Sequence, residues 1–262
     1  LSIKVDRQKL ILFDFDGVIV NGIDEYWFSS KLACEKYLLT NSKDINLNKY
    51  IEVPKIFVEI RPWVKYGWEM VLIAYELLKT YEPLNNLTKN TFLENYEVNC
   101  SKLLLKYSWN STKLQQCLDD ARVFQIKNDL EKWIALHRPF HEVVSFIKRA
   151  KDKGYKIGVI STKGKAFTSK ILSKLNIFPE LIFGYESGSK VDIIENLSLN
   201  YEIKGFVEDR RKTLLNILQN NQTKYINCYL AEWGYLKSTD KINLPKGIKL
   251  LKIKNLEDLV AN

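Results

Sequence analysis

Two aspartates that follow an apolar run are the residues of this sequence best suited to chemistry. Asp14 and Asp16 stand in the segment Phe13-Asp14-Phe15-Asp16-Gly17-Val18, directly after the apolar residues of a predicted strand. Because residues two apart on a strand point to the same side, the two carboxylates are predicted to lie together. Burying a carboxylate is costly unless it is paired or bound to a metal. Such a pair serves nucleophilic or acid–base catalysis, or holds a cation.

Three later apolar runs are followed, at once or after a short turn, by more polar and charged side chains. These are Ser161, Thr162, Lys163, Lys190, Glu208 and Asp209. In an open parallel sheet, ligands bind at the carboxyl ends of the strands, so these groups are expected to converge with the two aspartates. Two carboxylates about 4 Å apart repel by about 4 kcal/mol at an effective dielectric of 20. One lysine does not neutralise three acids and an incoming anion, whereas a hard divalent cation can, which predicts Mg²⁺.

Short apolar runs alternate with helical patterns in the second half of the chain. The apolar runs are 156–161, 181–186, 203–209, 225–231 and 248–253, and the helical patterns are 165–175, 191–199 and 212–219. This alternation predicts a parallel sheet covered on both faces, which is an α/β, Rossmann-like core. With Lys9 to Val20 as its first strand and turn, the core domain is predicted to comprise residues 1–21 and 139–262.

Residues 22–138 have few glycines and longer helical periodicities, which predicts an all-helical domain inserted into the core. Helices are expected at 24–39, at 62–81 with Pro62 as the first helical residue, and at 86–107. A further helix, 141–153, is expected after the insertion, ended by Gly154.

Composition narrows the possible partners and the location. The net charge of +9 over 262 residues favours anionic partners, and phosphorylated metabolites, nucleic acid and acidic membrane surfaces all fit. No block of five or six like charges occurs, so nucleic acid is possible but not favoured. We expect no membrane span, because no apolar stretch approaches about 18 residues. We expect no signal peptide, because residues 1–7 have no apolar core long enough for one. The four cysteines are far apart, which predicts reduced thiols in a cytoplasmic protein.

These motifs resemble the haloacid dehalogenase (HAD) superfamily of phosphohydrolases. The resemblance rests on Asp14-Phe15-Asp16-Gly17-Val18, followed in order by a Ser/Thr, a lysine and an acidic pair, and it runs over most of the chain outside the insertion. It implies that the insertion is a C1-type cap domain and that Asp14 is the nucleophile that forms an aspartyl-phosphate. It also implies that Asp16 is the general acid/base and binds Mg²⁺ through its backbone carbonyl.

The same resemblance implies the remaining roles at the site. Ser161, with Thr162 as the next choice, corresponds to the hydroxyl that binds phosphate, and Lys190 neutralises the nucleophile and the phosphoryl oxygens. Asp209 corresponds to a metal ligand, with Asp14 as another.

One departure from the family concerns the second acidic ligand. The family often places it four or five residues after the first, where this chain has Thr213 and Leu214. The pair Glu208-Asp209 resembles the variant with adjacent acids, so Glu208 is predicted as a metal ligand, with direct binding, binding through water and no binding left open.

Two further basic residues are candidates for substrate binding. Arg61 begins the basic aromatic segment 61–68, which is either a surface facing the substrate or one side of a core-packed helix. Arg61 can hold an anionic group of a substrate. Lys163, just past the phosphate-binding hydroxyl, is the other candidate.

The expected function is Mg²⁺-dependent hydrolysis of a small phosphomonoester, with a small phosphorylated metabolite as the partner. One alternative is a phosphomutase of the same superfamily, in which the phosphoryl group passes to a second sugar hydroxyl instead of water. Another is a non-catalytic module on the same fold that binds nucleic acid or protein. The oligomeric state is left open.

Overall fold

The chain divides into two compact units in the computed structural model, which describes residues 7–38 and 43–260. The α/β unit holds the described parts of Leu1–Asn21 and Arg138–Asn262, and the helical unit holds those of Gly22–His137. The helical unit ends one residue before the predicted position 138, because Arg138 pairs with Asn21 in a two-residue antiparallel ladder.

The described elements follow one another in a fixed order along the chain. They are β1 (Gln8–Phe13), β2 (Val20–Asn21), α1 (Ile23–Lys36), α2 (Lys55–Ile60), α3 (Gly67–Leu78), α4 (Lys89–Glu94), α5 (Tyr96–Lys106), α6 (Ser111–Asn128), α7 (Leu130–Ala135), β3 (Arg138–Pro139), α8 (His141–Asp152), β4 (Lys156–Ile160), α9 (Lys165–Lys174), β5 (Leu181–Phe183), α10 (Lys190–Ser198), β6 (Tyr201–Glu208), α11 (Arg211–Gln219), β7 (Cys228–Ala231) and β8 (Ile248–Leu251). Short 3₁₀ turns occur between some of them, one of them at Arg61–Trp63.

A six-stranded parallel sheet in the order β5-β4-β1-β6-β7-β8 forms the α/β unit, together with its helices. From β1 the chain builds outward through β4 and β5, and then returns to the other side of β1 for β6, β7 and β8. The order in which strands are added to the sheet therefore reverses at β1. Such sheets bind their ligands at the carboxyl end of the strand where the order reverses. The α/β, Rossmann-like fold predicted from the sequence is confirmed.

The apolar sequence of β1 follows from its burial on both faces of the sheet. Leu10 and Leu12 join a core cluster that includes Ile194 of α10. Phe13 packs edge-on against Phe146 of α8, with ring centroids 6.3 Å apart. Residues that alternate along a strand point to opposite faces, so the last four residues of β1, 10–13, are all apolar because both faces are covered there, whereas Gln8 and Lys9 at its start are exposed.

The helical unit contains α1 to α7 and one isolated antiparallel bridge, between Ile45 and Lys79. Helices α1, α3 and α6 pack against one another, and every residue of α3 except Trp68 is buried. A bidentate ion pair ties α6 to α1: Arg122 Nε lies 2.8 Å from Glu25 Oε1, and Arg122 Nη2 lies 3.1 Å from Glu25 Oε2. Within the described ranges, no helix is both long and apolar enough to cross a bilayer.

The helix predicted at 62–81 is wrong at its start. Pro62 lies in a 3₁₀ turn, Val64 leaves the helical conformation with φ −67° and ψ 131°, and α3 begins only at Gly67. The reason is the carboxylate of Glu69, which accepts hydrogen bonds from the backbone amides of Lys65 (3.0 Å) and Tyr66 (3.3 Å). A carboxylate folded back in this way caps a helix at its third residue and fixes where the helix starts.

The helix predicted at 86–107 is two helices, because the chain leaves the helical conformation at Asn95 with φ −129° and ψ 48°. The side chain of Asn99 donates to the carbonyl of Phe92 (2.9 Å) across this break. Asparagine is a weak helix former because its amide competes for backbone groups. The helix predicted at 24–39 is α1, with Leu39 outside the described residues, and α2, α6 and α7 were not predicted.

We predict that Arg122→Met destabilises the protein by about 3–5 kcal/mol, because it leaves the buried Glu25 charge without its bidentate partner. Urea unfolding followed by circular dichroism measures the loss. The control is Arg149→Met, which removes a pair with Glu257 whose side chains are 53% and 50% exposed. Exposed pairs contribute at most about 1 kcal/mol, so similar losses in the two variants would contradict the prediction.

Candidate active site

Neighbouring strands bring two groups of acids to one edge of the sheet. β1 ends at Phe13 and is followed by Asp14, and β6 ends at Glu208 and is followed by Asp209. The backbone amide of Asp14 donates to the carbonyl of Val207 (2.8 Å), which continues the ladder beyond the end of β1. One carboxylate oxygen each from Asp14, Glu208 and Asp209 lies within 4.8 Å of the others, and all three residues are buried.

Lys190, the first residue of α10, joins two of these acids. Its Nζ lies 2.7 Å from Asp14 Oδ1 and 2.7 Å from Glu208 Oε2. Ser189 caps this helix by accepting from the amide of Asp192 (3.2 Å), which fixes where the lysine leaves the backbone. α10 thus begins one residue before the predicted helical pattern 191–199, and the ammonium group of Lys190 contacts the predicted nucleophile.

Glu208 uses both of its carboxylate oxygens within the protein. Oε2 accepts from Lys190, and Oε1 accepts from the backbone amides of Asp209 (3.1 Å) and Arg210 (3.0 Å). Glu208 thus orients the lysine. The prediction that it binds metal stays a prediction, as does that for Asp209.

The Asp209 side chain packs so closely against Gly17 and Gly234 that neither position has room for a Cβ atom. Its Oδ2 accepts from the backbone amide of Tyr235 (2.8 Å). A Cβ on Gly17 would lie 2.0 Å from Asp209 Oδ2, and a Cβ on Gly234 would lie 2.2 Å from Asp209 Cβ. Gly17 also has φ +91°, in the region that favours glycine. The glycine of the Asp-Phe-Asp-Gly motif therefore provides the room for Asp209.

Asp16 lies beside a second lysine of the site, Lys163. Lys163 Nζ is 3.7 Å from Asp16 Oδ2, and the Lys163 side chain is fully buried. Lys163 is thus held against the predicted acid/base, and its predicted contact with substrate stays a prediction.

Ser161 follows β4, the strand that pairs with β1 on the side away from β6, so it lies at the same sheet edge. The residue is buried, and its hydroxyl accepts from the amide of Lys163 (2.9 Å). A hydroxyl that accepts one bond can still donate another, as phosphate binding requires. Thr162, next in the chain, is partly exposed.

Arg61 lies in the 3₁₀ turn of the helical unit. Its guanidinium carbon is 5.6 Å from the ring centroid of Tyr26, and its Nη1 donates to the carbonyl of Val64 (3.4 Å). The prediction that Arg61 binds substrate stays a prediction.

Burial sets the electrostatics of the acid cluster. Burial, and after it the charge of Glu208, raises the pKa of Asp14 to about 7, against a partial lowering by Lys190. Burial lowers the pKa of Lys190, but the carboxylates of Asp14 and Glu208 outweigh it and raise that pKa above its usual value. A nearby cation stabilises the charged form of such a buried carboxylate.

The donor set fits one divalent cation. Four buried carboxylates (Asp14, Asp16, Glu208 and Asp209) are paired with two ammonium groups, those of the buried Lys163 and the partly buried Lys190, so when all are charged two negative charges remain. The donors are all oxygen, which suits Mg²⁺. Leu214, at a position where the family often has another acid, is buried in the core cluster, and Glu208 is the acid present instead.

Sequence reasoning missed the polar contacts of the loop after β7. Tyr235 reaches Asp209 through its backbone amide, which no side-chain motif marks. The available signal was Gly234, a glycine between two aromatic residues after a predicted strand.

A parallel sheet with buried acids and a lysine at its carboxyl edge defines a class of α/β proteins whose sites are built from strand ends. A sequence model of the haloacid dehalogenase-like hydrolases matches residues 8–210. The chain belongs to this family, and the resemblance seen in its motifs is confirmed. The C1 type of the helical unit stays a prediction.

Solved structures with the same fold include a predicted phosphatase from Clostridium acetobutylicum. It is 17% identical, with a TM-score of 0.58, covering 97% of this chain and 98% of that one. A predicted phosphoglycolate phosphatase from Haemophilus somnus is 14% identical, with a TM-score of 0.57, covering 97% of this chain and 96% of that one. At these identities the likeness shows the fold alone. No protein of curated function matches this chain significantly.

We predict that Gly17→Ala lowers kcat/KM by about 100-fold or more, since its methyl group would displace Asp209 or Tyr235. Steady-state kinetics measures the loss. Gly154→Ala is the matched control, because Gly154 has a similar φ of +86° but nothing within 4 Å of the added Cβ. An equal loss of activity in both variants would assign the effect to backbone strain instead.

We also predict a pH effect on the stability of the metal-free protein. The pKa of Asp14 rises from 3.8 to about 7 on folding, so between these values the folded protein holds more protons than the unfolded chain. Stability from this group is therefore present below pH 3.8 and is lost as the pH rises through about 7.

In Asp14→Asn that loss is absent, so in EDTA the Tm of the variant falls less than that of the wild type between about pH 4 and about pH 8. The corresponding difference in the free energy of unfolding is at most about 4 kcal/mol. Thermal melts across the pH range measure it, with the exposed Asp152→Asn as the control. Parallel curves for wild type and Asp14→Asn would contradict the assignment.

Proposed function

We propose that this chain is a Mg²⁺-dependent phosphatase that cleaves a small phosphomonoester through an aspartyl-phosphate on Asp14. The observation that carries the proposal is the Lys190 ammonium, 2.7 Å from the carboxylates of both Asp14 and Glu208, with Asp209 in the same cluster. A partly buried lysine in contact with the nucleophile neutralises charge where a phosphate dianion must approach. Phosphoryl transfer depends mainly on such positioning and neutralisation.

The first half of the reaction uses Asp14 and Asp16. An Asp14 carboxylate oxygen attacks phosphorus, the ester bond breaks, and Asp16 gives a proton to the departing alkoxide. The products of this half are the free alcohol and an acyl phosphate on Asp14. A carboxylate nucleophile divides a difficult hydrolysis into two easier steps.

The second half returns the site to its starting state. Asp16, now deprotonated, takes a proton from water as the water attacks phosphorus, and the bond between Asp14 and phosphorus breaks. Inorganic phosphate leaves, and Asp16 carries the proton for the next cycle. Through both halves Lys190 stays on the nucleophile, Ser161 donates to a phosphoryl oxygen, and Lys163 holds Asp16 in place.

The residues that would hold Mg²⁺ are Asp14 and Asp209 through carboxylate oxygens and Asp16 through its backbone carbonyl, with Glu208 adjacent. When bound, the cation supplies positive charge to the phosphoryl oxygens and offsets the surplus of negative charge among the acids. The substrate class is a small phosphorylated metabolite. A cytoplasmic location is supported by the four cysteines, which are all buried free thiols, as expected in a reducing compartment.

We predict that the purified protein hydrolyses p-nitrophenyl phosphate with Mg²⁺, that EDTA abolishes the activity and that added Mg²⁺ restores it. Asp14→Asn loses at least about 10³-fold in kcat because the nucleophile is gone, whereas Asp152→Asn keeps wild-type activity. Full turnover by Asp14→Asn would refute the nucleophile. A panel of phosphorylated metabolites then ranks substrates, and product analysis with a hexose phosphate separates hydrolysis from phosphoryl transfer to a second hydroxyl.

A further inference from the structure

The loop after β7 contacts both the acid cluster and the segment of the α/β unit that ends at Asn21. Its central residues are Trp233, Gly234 and Tyr235, and none of them belongs to the catalytic set described above. Tyr235 contacts Asp209 through its backbone, and Gly234 packs against the Asp209 side chain so closely that a Cβ would lie 2.2 Å away. The position of this loop therefore depends on the position of the Asp209 carboxylate.

The side chains of the same loop reach the chain segment that leads out of the α/β unit. Tyr235 Oη donates to Asn21 Oδ1 (2.7 Å), and Trp233 Nε1 donates to the carbonyl of Val18 (3.1 Å). Asn21 is the last residue before the helical unit. Tyr235 thus joins Asp209, through its amide, to Asn21, through its hydroxyl.

The segment through which the chain re-enters the α/β unit, beginning at Arg138, is held at the same place. Arg138, the first residue after the helical unit, pairs with Asn21 in the β2–β3 ladder. Phe140, two residues on, donates its amide to the carbonyl of Ile19 (2.9 Å), and its ring contacts that of Trp233 with centroids 6.5 Å apart. The loop therefore contacts Asn21 of β2 and Phe140, the residue directly after β3, at the ladder through which the chain leaves and re-enters the α/β unit.

We propose that Tyr235 is a positioning residue that couples cation binding at Asp209 to the order of the β2–β3 ladder. The proposal rests on the proposed function, since it requires that Asp209 takes part in binding a cation. A cation that fixes the Asp209 carboxylate also fixes the amide that donates to it, and the rigid ring of Tyr235 carries that constraint to Asn21. Because such coupling is reciprocal, an ordered ladder favours cation binding to the same extent.

Hydrogen exchange of the metal-free and Mg²⁺-loaded full-length protein tests this coupling. In the wild type, Mg²⁺ slows amide exchange in peptides covering residues 18–24 and 136–141 by roughly fivefold or more. Tyr235→Phe removes only the hydroxyl and keeps the ring and the amide. In this variant Mg²⁺ still binds in calorimetric titration, and most of its protection of the ladder is lost.

Two further variants sharpen the test. Asn21→Ala removes the acceptor of the same bond, so it gives the same loss, and the double variant adds nothing to either single one. Tyr155→Phe is the matched control: Tyr155 precedes β4 at the opposite edge of the sheet, where its hydroxyl lies 3.4 Å from the carbonyl of Val260. This variant keeps the full effect of Mg²⁺ on the ladder.

The outcomes separate the coupling from the proposed function. If Mg²⁺ binds and the enzyme is active, but Tyr235→Phe keeps the full protection or the wild type shows none, the coupling is overturned and the phosphatase stands. If the wild-type protein neither binds Mg²⁺ nor hydrolyses a phosphomonoester, the proposed function fails and the coupling fails with it.

Discussion

The repulsion among buried acids is the constraint on which the carboxyl edge of the sheet depends. Asp14, Asp16, Glu208 and Asp209 are each at most 7% exposed, so water screens their charges poorly. The fold offsets this repulsion with ammonium groups and with backbone amides aimed at carboxylate oxygens, of which the contacts of Lys190 are the clearest. Charge that remains after these contacts favours a cation. Such a cluster of acids destabilises the protein when no cation is bound. It is well suited to an anionic substrate that binds together with a metal.

The parallel sheet was the part of the fold that was predicted best from the sequence, because short apolar runs separated by helices leave few arrangements other than a parallel sheet. The limits of the helices in the insertion were harder to predict, since helix starts and breaks there depend on which nearby side chains bond to the backbone. The break at Asn95 and the start at Gly67, fixed by Glu69, are of this kind. Helix α6 was missed because its buried face carries Cys117 and Arg122 beside aliphatic residues, which hides its period.

The site was predictable to the extent that its residues stand at strand ends. Asp14, Lys190 and Asp209 were predicted to lie at one edge from the expected topology alone. In the structure, Asp14 lies close to both Asp209 and Lys190. The contact of Lys163 with Asp16 was not predicted, because it depends on the direction of the two side chains. Backbone donors such as the Tyr235 amide are not marked by their own side chains, and only the neighbouring Gly234 gave a signal.

The pairing of Asn21 with Arg138 has a consequence for how this architecture diversifies. Since both residues belong to the α/β unit and already lie side by side, the intervening 116 residues occupy the topological place of a hairpin loop. Loops are the parts of proteins that accept insertion and replacement most readily. The insertion can therefore be exchanged for another, or shortened to a tight turn, at the pairing of Asn21 with Arg138. The α/β unit, which carries the proposed catalytic residues, stays the same.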